Sequence, residues 1–468
     1  MVTIARPSSD ACDTADAAAL DARLAAWQAR VNERCASRAT AHALGRVVEV
    51  SATLIAARLP RAEVGHLCEL DCIDAHGHPM LAEVIGFNDS RTLLAPLAPT
   101  QGLATGMSLR SLGRPHDVEA GTHLLGRLLD GLGRPLDASP PVVPSGRHAP
   151  RECVRRPVLA APPTPLARPR IVDALTTGIR ALDGVLTLGR GQRIGLFAGP
   201  GCGKTTLIGA LARGIDADAV VLGLVGERGR ELNEFLEREL DSAVSARTVV
   251  VCATSERPAM ERVRAAFTAT AIAEGLSANG AHVLLLVDSL TRVARAQREI
   301  GIAAGEPTGH AGLPPSVYAM LPRLTERAGP LPRGSITAVY TVLTETSTLD
   351  PIAEEARSLL DGHIVLSTEL AQRGHFPAID ILASTSRAMD AIVAESHRND
   401  AARLRCLLSR YRDLQLLLTL GEYQAGRDAE NDDAVARHPR LLAFLRQDTR
   451  TPCQWRDTLE QLHAAVAH

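Results

Sequence analysis

Apolar positions change their spacing several times along the chain, and each change marks a region. Between Ala17 and Ala43, an alanine-rich stretch, Leu20, Leu24, Trp27 and Val31 recur at helical intervals and predict an amphipathic helix. Such a helix suits packing on its own domain and docking on a partner or membrane surface equally well. From Gly45 to about Leu112 the pattern shortens to runs rich in Val, Ile and Leu, broken by Gly and Asn-Asp: Val47–Ile55, Gly65–Ile73, Met80–Phe87 and Thr92–Pro96. That spacing predicts a small β-barrel or sandwich. Ten prolines then fall between Pro135 and Pro169. Proline lacks a donor and fixes φ, so this stretch is neither a long helix nor a central strand but an extended arm.

After Ile171, near-continuous apolar runs alternate with helical ones. Strands are predicted over Arg193–Phe197, Ala219–Val225, Thr248–Ala253, His282–Asp288 and Ser335–Leu343. Helices are predicted over Thr205–Arg213, Glu231–Leu240, Pro258–Asn279 and Pro315–Arg327. Strands apolar throughout, with helices between them, imply a parallel sheet covered on both faces. From Asp390 the pattern is helical, with Arg403–Leu420 the clearest stretch. The expected division is a helical segment at 1–44, a barrel at 45–112, an α/β domain at 113–388 carrying the arm at 135–170, and a helical domain at 389–468.

Composition narrows the choice of chemistry. The 468 residues are too many for one ordinary core. A formal net charge of −2 supplies no bulk basic field for nucleic acid, and aromatics are only 3%. Phe87 is the sole Phe, Tyr or Trp between Val47 and Leu112, which argues against a barrel that stacks bases. Nine scattered cysteines suit reduced thiols better than a disulfide framework. Cys68 and Cys72 with His66, His76 and His78 form the tightest group of metal-type residues. Their spacing is not that of a finger or ribbon, and ordinary buried and surface roles are expected. Met1–Asp21 has acidic residues and no continuous apolar core, and no stretch of about 18 uncharged apolar residues occurs. A cytoplasmic protein is expected.

The sharpest motif follows the first predicted strand of the α/β region. Arg193–Phe197 runs into Ala198, Gly199, Pro200, Gly201, Cys202, Gly203, Lys204, Thr205 and Thr206, and then into an apolar helix. This is a phosphate-binding loop in its strand–loop–helix setting. The glycines let backbone N–H groups face phosphate oxygens, and the helix N-terminus adds its positive end. Lys204 is placed to reach the β- and γ-phosphates of ATP and Thr205 to ligate Mg²⁺. Ala198 stands where strict motifs begin with Gly, a small change. Val283–Asp288 is an apolar strand ending in a carboxylate, which suits Asp288 to the metal's hydration shell, although Asp also caps helices. The strand ending at Val225 leads to Gly226, Glu227 and Arg228. Glu227 is suited to orienting or deprotonating the attacking water, while local sequence alone favours a surface salt-bridge cluster.

These runs, together with Asp288–Gly301, Pro314–Val317, Gly334–Thr337 and Asp361–Ser367, resemble the rotary ATP synthase and protein-export ATPase family from about Gly45 to about Gly426. Ser289–Glu306 and Arg357–Asp380 look like type III secretion ATPases rather than ATP synthase subunits. The resemblance implies a RecA-like ATPase core behind a β-barrel and before a helical domain. It implies a homohexameric ring that hydrolyses Mg·ATP, releases chaperones from export cargo and unfolds it. Implied partners are a coiled-coil stalk, a stator protein, an export gate and chaperone–cargo complexes, with the ring at the cytoplasmic face of the inner membrane and no nucleic acid.

Residue by residue, the resemblance makes Glu227 the catalytic carboxylate, Arg228 its support, Arg387 an arginine finger acting on the neighbouring subunit, and Phe376 and Tyr423 the aromatics beside adenine. Two loops depart from the family pattern, Thr344–Asp350 and Thr308–Ala311, which bears on stalk contacts and cooperativity rather than on ATP binding. A flagellar export ATPase is the nearest rival. The C-terminal Gly421–Asp428 and Phe444–Gln447 lean toward the virulence type. A hexameric RNA translocase would want aromatics in the barrel and a basic pore, and a non-catalytic nucleotide-binding subunit would lack Glu227.

Overall fold

The structure, a computed structural model, describes Trp27 and residues 44–74, 77–88, 90–136, 154–309, 312–344 and 350–467. The helix expected over Ala17–Ala43 lies outside these residues apart from Trp27, as do residues 137–153 of the arm, 310–311 and 345–349.

Six strands, β1 (Leu44–Val50), β2 (Ile55–Arg58), β3 (His66–Ile73), β4 (Pro79–Asn88), β5 (Arg91–Pro96) and β6 (Ser108–Pro115), close into a barrel in the order β1-β2-β5-β4-β3-β6. Ile55, Ala57, Ala82, Val84 and Leu94 fill it. Register shifts in β1, β3 and β4 supply the bends that a closed sheet this small requires. The single run expected over Val47–Ile55 is two strands. Ser51 breaks it: its N–H donates to Leu54 O at 2.8 Å, and its hydroxyl accepts from Leu54 N at 3.1 Å.

Three short strands follow, β7 (Asp117–Ala120), β8 (Leu128–Asp130) and β9 (Val154–Pro157). β9, from the proline-rich arm, pairs antiparallel with β7. Farther along the arm, Arg168 donates to Ala328 O at 2.9 Å, fastening it to the core. A two-residue ribbon, β10 (Ala174–Leu175) with β11 (Leu188–Gly189), precedes the main sheet.

The main sheet is built from β12 (Arg193–Ala198), β13 (Ala219–Val225), β14 (Thr248–Ala253), β15 (His282–Asp288), β16 (Gly329–Pro330), β17 (Ser335–Leu343), β18 (Gly362–Leu366) and β19 (Thr385–Ser386), with β8 at one edge. The order is β19-β18-β12-β17-β15-β13-β14-β8, with β16 on β17. All its pairs are parallel except those of β16 and β19. β13 and β15 are buried along their whole length because helices cover both faces. Ala259–Ala278 packs on one face and Lys204–Gly214 on the other. Parallel direction brings the C-terminal ends of β12, β13, β15 and β17 to one edge, where ligands bind in sheets of this kind.

Two buried ion pairs fix the parts around this core. Arg264 Nε, on the helix Ala259–Ala278, donates to Glu83 Oε2 of β4 at 2.7 Å, tying the barrel down. Arg327, fully buried, holds Glu274 through two bonds of 2.7 Å. The C-terminal helices Glu395–Leu420, Ala429–Leu445 and Trp455–Val466 close over the short helix Arg180–Val185. A Cβ on Gly184 would meet the Phe444 ring at 2.8 Å, so this contact needs a glycine.

One carboxyl in the first turn of the helix Ala259–Ala278 is stored at a cost. Glu261 is 1% exposed, and its Oε1 has no hydrogen-bond partner among the described residues. Burial pushes its pKa up from 4.5 to about 7, with Asp130 adding to the shift and Arg257 and Arg134 opposing it. A folded-state pKa above the unfolded one gives stability that is present below about 4.5 and lost as pH rises through about 7. Glu261→Gln is therefore expected to stabilise the protein by roughly 2–3 kcal/mol at pH 8 and by little at pH 5. Thermal melts at the two pH values check this, and an equal gain at both would overturn it.

Candidate active site

The loop between β12 and the helix Lys204–Gly214 turns on two glycines in the left-handed region, Gly201 at φ +76° and Gly203 at φ +81°. A Cβ on Gly201 would meet nothing within 4 Å, so the glycine serves backbone conformation there, not packing. Gly203 caps the helix without a side-chain bond, which leaves the first-turn N–H groups for a ligand. The loop's inner side is fastened by Cys202, 1% exposed, whose Sγ lies 3.2 Å from Thr368 Oγ1. Pro200, Thr205 and Thr206 are exposed, and Gly199 is half-buried.

The ends of β13 and β15 bring acid to this loop. Leu224 and Asp288 are partners in the ladder, so Glu227, three residues on, stands beside Asp288. Lys204 Nζ donates to Asp288 Oδ1 at 2.7 Å and to Glu227 Oε1 at 3.4 Å. Two further residues, not expected from the sequence, complete the cluster. Thr341, which β17 places next to Asp288, donates its hydroxyl to Asp288 Oδ1 at 2.5 Å. Arg292 pairs with Glu227 Oε2 at 3.0 Å and donates to Gly226 O. Burial raises the Glu227 pKa above its ordinary value, Lys204 opposes the rise, and Asp288 adds to it. The cluster thus holds a carboxyl readier than usual to take a proton, beside an ammonium group.

Two pockets flank the loop. One, of about 310 Å³, is walled by Thr205, Thr206, Glu227, Glu231 and Asp288 among others. The second, of about 330 Å³, lies on the loop's other side, between Gly203, Thr206, Leu207 and Phe376. The Phe376 ring is 42% exposed, and its Cε1 would lie 3.5 Å from a Cβ on Gly203. Residues Gln447, Asp448 and Thr449 of the C-terminal domain close this pocket. Nothing in the local sequence places them beside Phe376, which they follow only after about 70 residues of chain.

Three expected site residues stand elsewhere. Tyr423 does not line the pocket beside Phe376. It sits in the connection after Gly421, and its hydroxyl donates to Asp432 Oδ1 at 2.5 Å. Arg228 is exposed and faces Glu231 at 3.5 Å rather than the Lys204 cluster. Arg387 is exposed at the end of β19. Its backbone N–H donates to Asp361 O at 3.1 Å, and its side chain forms no ion pair among the described residues.

The arrangement fits a magnesium nucleotide. Uncapped N–H groups, an ammonium and an adjoining cavity suit a polyphosphate, while Thr205 and Asp288 offer oxygens to a cation. Among the described residues no group of three or more His, Cys, Asp or Glu is set to hold a metal. A hard cation at this loop would take its other ligands from phosphate oxygens and water. Of the cysteine–histidine group, Cys68 is fully buried and Cys72 Sγ contacts Met80 Sδ at 3.6 Å, while His76 lies outside the described residues.

Comparison with known proteins gives a consistent placement. The profile of the ATP synthase alpha/beta family, nucleotide-binding domain, matches residues 178–386. That of the T3SS EscN ATPase C-terminal domain matches residues 393–464. The "Type 3 secretion system ATPase" of Pseudomonas syringae pv. syringae is 52% identical over 95% of this chain and 98% of its own length. The "Flagellum-specific ATP synthase" of Bacillus subtilis is 42% identical over 89% of this chain and 94% of its own. Among solved structures, the assembled ATPase EscN in complex with its central stalk EscO, from the enteropathogenic E. coli type III secretion system, superposes with a TM-score of 0.81 at 45% identity. It covers 90% of this chain and 100% of its own. No helix among the described residues is long and apolar enough to cross a membrane.

Proposed function

Because the chain belongs to the type 3 secretion system ATPases, within the ATP synthase alpha/beta family, and hydrolyses ATP for protein export, we propose that it works as a homohexamer. In that ring it strips chaperones from export cargo and unfolds it. A stalk occupies the ring's centre, with a stator protein, an export gate and chaperone–cargo complexes as further partners. The ring sits at the cytoplasmic face of the inner membrane. The assembled EscN with its central stalk supports the ring and the stalk. Greater identity to the secretion ATPase than to the flagellar one, with the match over 393–464, supports the secretion branch. Residues 45–112 form the β-barrel domain, 113–388 the motor and 389–468 the helical domain, with 1–44 ahead of them.

At the site, the N–H groups of Gly199 to Thr206 and the Lys204 ammonium bind the phosphates. Thr205 and Asp288 would hold magnesium, which would neutralise charge on the phosphoryl oxygens. Thr341 fixes the Asp288 carboxylate. Glu227, steadied by Arg292, orients the attacking water and takes its proton. Phe376 stacks on the base. Arg387 serves a neighbour's site.

The observation that carries this reading is the Lys204–Asp288–Glu227 cluster at an uncapped helix start. Since no site is complete in one chain, the ATPase rate per chain is expected to climb with protein concentration in step with the hexamer fraction seen by sedimentation. A rate per chain that stays constant from monomer to ring would overturn the shared-site reading.

A further inference from the structure

Gln447 lies between the helices Ala429–Leu445 and Trp455–Val466, outside every element that carries the chemistry, yet it binds three segments at once. Its backbone N–H donates to Phe376 O at 2.9 Å. Its amide nitrogen donates to Gly178 O at 2.8 Å and to Thr451 O at 2.9 Å. Its amide oxygen accepts from Arg180 N at 2.9 Å. Phe376 is followed by Pro377, which has no N–H, so the Phe376 carbonyl is the main-chain handle at that point of the loop. The same glutamine lines the pocket against which the Phe376 ring stands.

Docking of the C-terminal domain does not hang on this residue alone. Cys453 N donates to Gly178 O at 2.9 Å, Arg180 donates to Gln461 Oε1 at 2.5 Å and to Arg446 O, and His397 Nε2 lies 2.8 Å from Gly184 O. Loss of the Gln447 side chain therefore acts locally, on the pocket wall and on the placing of the Gln447 main-chain N–H from which the Phe376 carbonyl accepts.

We propose that Gln447 is a positioning residue through which the C-terminal helical domain sets the place of Phe376, and with it the grip on the nucleotide base. The proposal rests on the reading of Phe376 as the residue that stacks on the base. It gives the C-terminal domain a direct route to nucleotide affinity: a shift of the segment after Leu445 moves the Phe376 carbonyl through one hydrogen bond, while the phosphate loop stays fixed by β12 and its helix.

The test compares full-length, assembled Gln447→Met, Gln447→Glu and Phe376→Ala with the wild type. It reads kcat and KM for Mg·ATP, competitive inhibition by inorganic tripolyphosphate, which has the phosphates without a base, and melting temperature. Gln447→Met keeps the shape and removes three side-chain bonds. KM for ATP is expected to rise about tenfold, with kcat and the tripolyphosphate inhibition constant within about twofold of wild type. Gln447→Glu keeps the acceptor for Arg180 N but turns oxygen toward two carbonyls, so it shifts KM the same way and serves if the Met variant does not assemble. A parallel rise in KM and in the tripolyphosphate constant would overturn the proposal by showing a general loosening. An unchanged KM in both Gln447 variants, with KM raised in Phe376→Ala, would overturn it while leaving the base site standing. An unchanged KM in Phe376→Ala would remove the base-site reading and the Gln447 role together.

Discussion

Glu227→Gln is expected to leave a protein that binds Mg·ATP and retains it, with kcat reduced by about 10²–10⁴, the usual contribution of a positioned base. The reasoning starts from what the substitution leaves in place. Lys204 keeps its 2.7 Å bond to Asp288, and Thr341 keeps its own to the same carboxylate, so the phosphate and metal end of the site is unaltered. What is lost is the group able to accept a proton from water. Arg292 loses a charged partner but keeps its bond to Gly226 O, so the turn after β13 is preserved.

Rapid-quench single turnovers separate the chemical step from binding, and a filter assay reads retained nucleotide. The wild type carries a companion signature. Because burial raises the Glu227 pKa and only the ionised form is a base, kcat/KM falls as pH drops through a value above the ordinary 4.5 of a glutamate. That acid limb is absent from the residual activity of the Gln variant. Near-normal turnover in the variant would move the base elsewhere.

How much of this could be read from the chain depends on whether a residue's partner is near in sequence. The phosphate loop was legible because strand, glycines, Lys204 and helix are contiguous, and Asp288 because its strand is apolar to the last residue. The parallel sheet followed from uninterrupted apolar runs. β18, Gly362–Leu366, was not predicted as a strand. It is only five residues long and half-buried at alternate positions near the sheet edge, so neither a continuous apolar run nor a long alternation marks it. Thr341 carries no signal either, since a threonine inside an apolar strand is ordinary and only the β15–β17 register sets it beside Asp288.

Arg292 had a weak signal, falling in the first turn of the helix that Ser289 caps after Asp288. Gln447 had none. Its partners Gly178, Arg180 and Phe376 are distant in sequence, and its role exists only once the C-terminal helices have docked. Tyr423 is the opposite case: a motif match set it beside the base, whereas in the single chain its hydroxyl bonds Asp432.

Arg387→Ala is expected to lower kcat by about 10³–10⁵ while ATP affinity stays within a few-fold, the pattern of a residue that touches only the charge developing in the transition state. The sheet supports the proposed action of this arginine on another chain. Arg387 N bonds to Asp361 O, and Asp361 N bonds to Arg193 O, so Arg387 stands level with the start of β12. The phosphate loop leaves from the far end of that strand, after Ala198. Five steps along a parallel strand are about 16 Å, and β18 adds a sideways offset, so the side chain cannot serve its own loop.

A mixing experiment exploits this. Arg387→Ala and Glu227→Gln rings are each expected to be nearly inactive. In a ring assembled from both chains, a site with its own Glu227 can face a neighbour that still has Arg387. With random order and equal amounts, roughly a quarter of the sites are complete, because each of two independent choices succeeds half the time. Hydrolysis is therefore expected to return on co-assembly to a substantial fraction of the wild-type rate. Mixed rings that stay as inactive as their parents would place Arg387 in its own subunit's site or outside catalysis altogether.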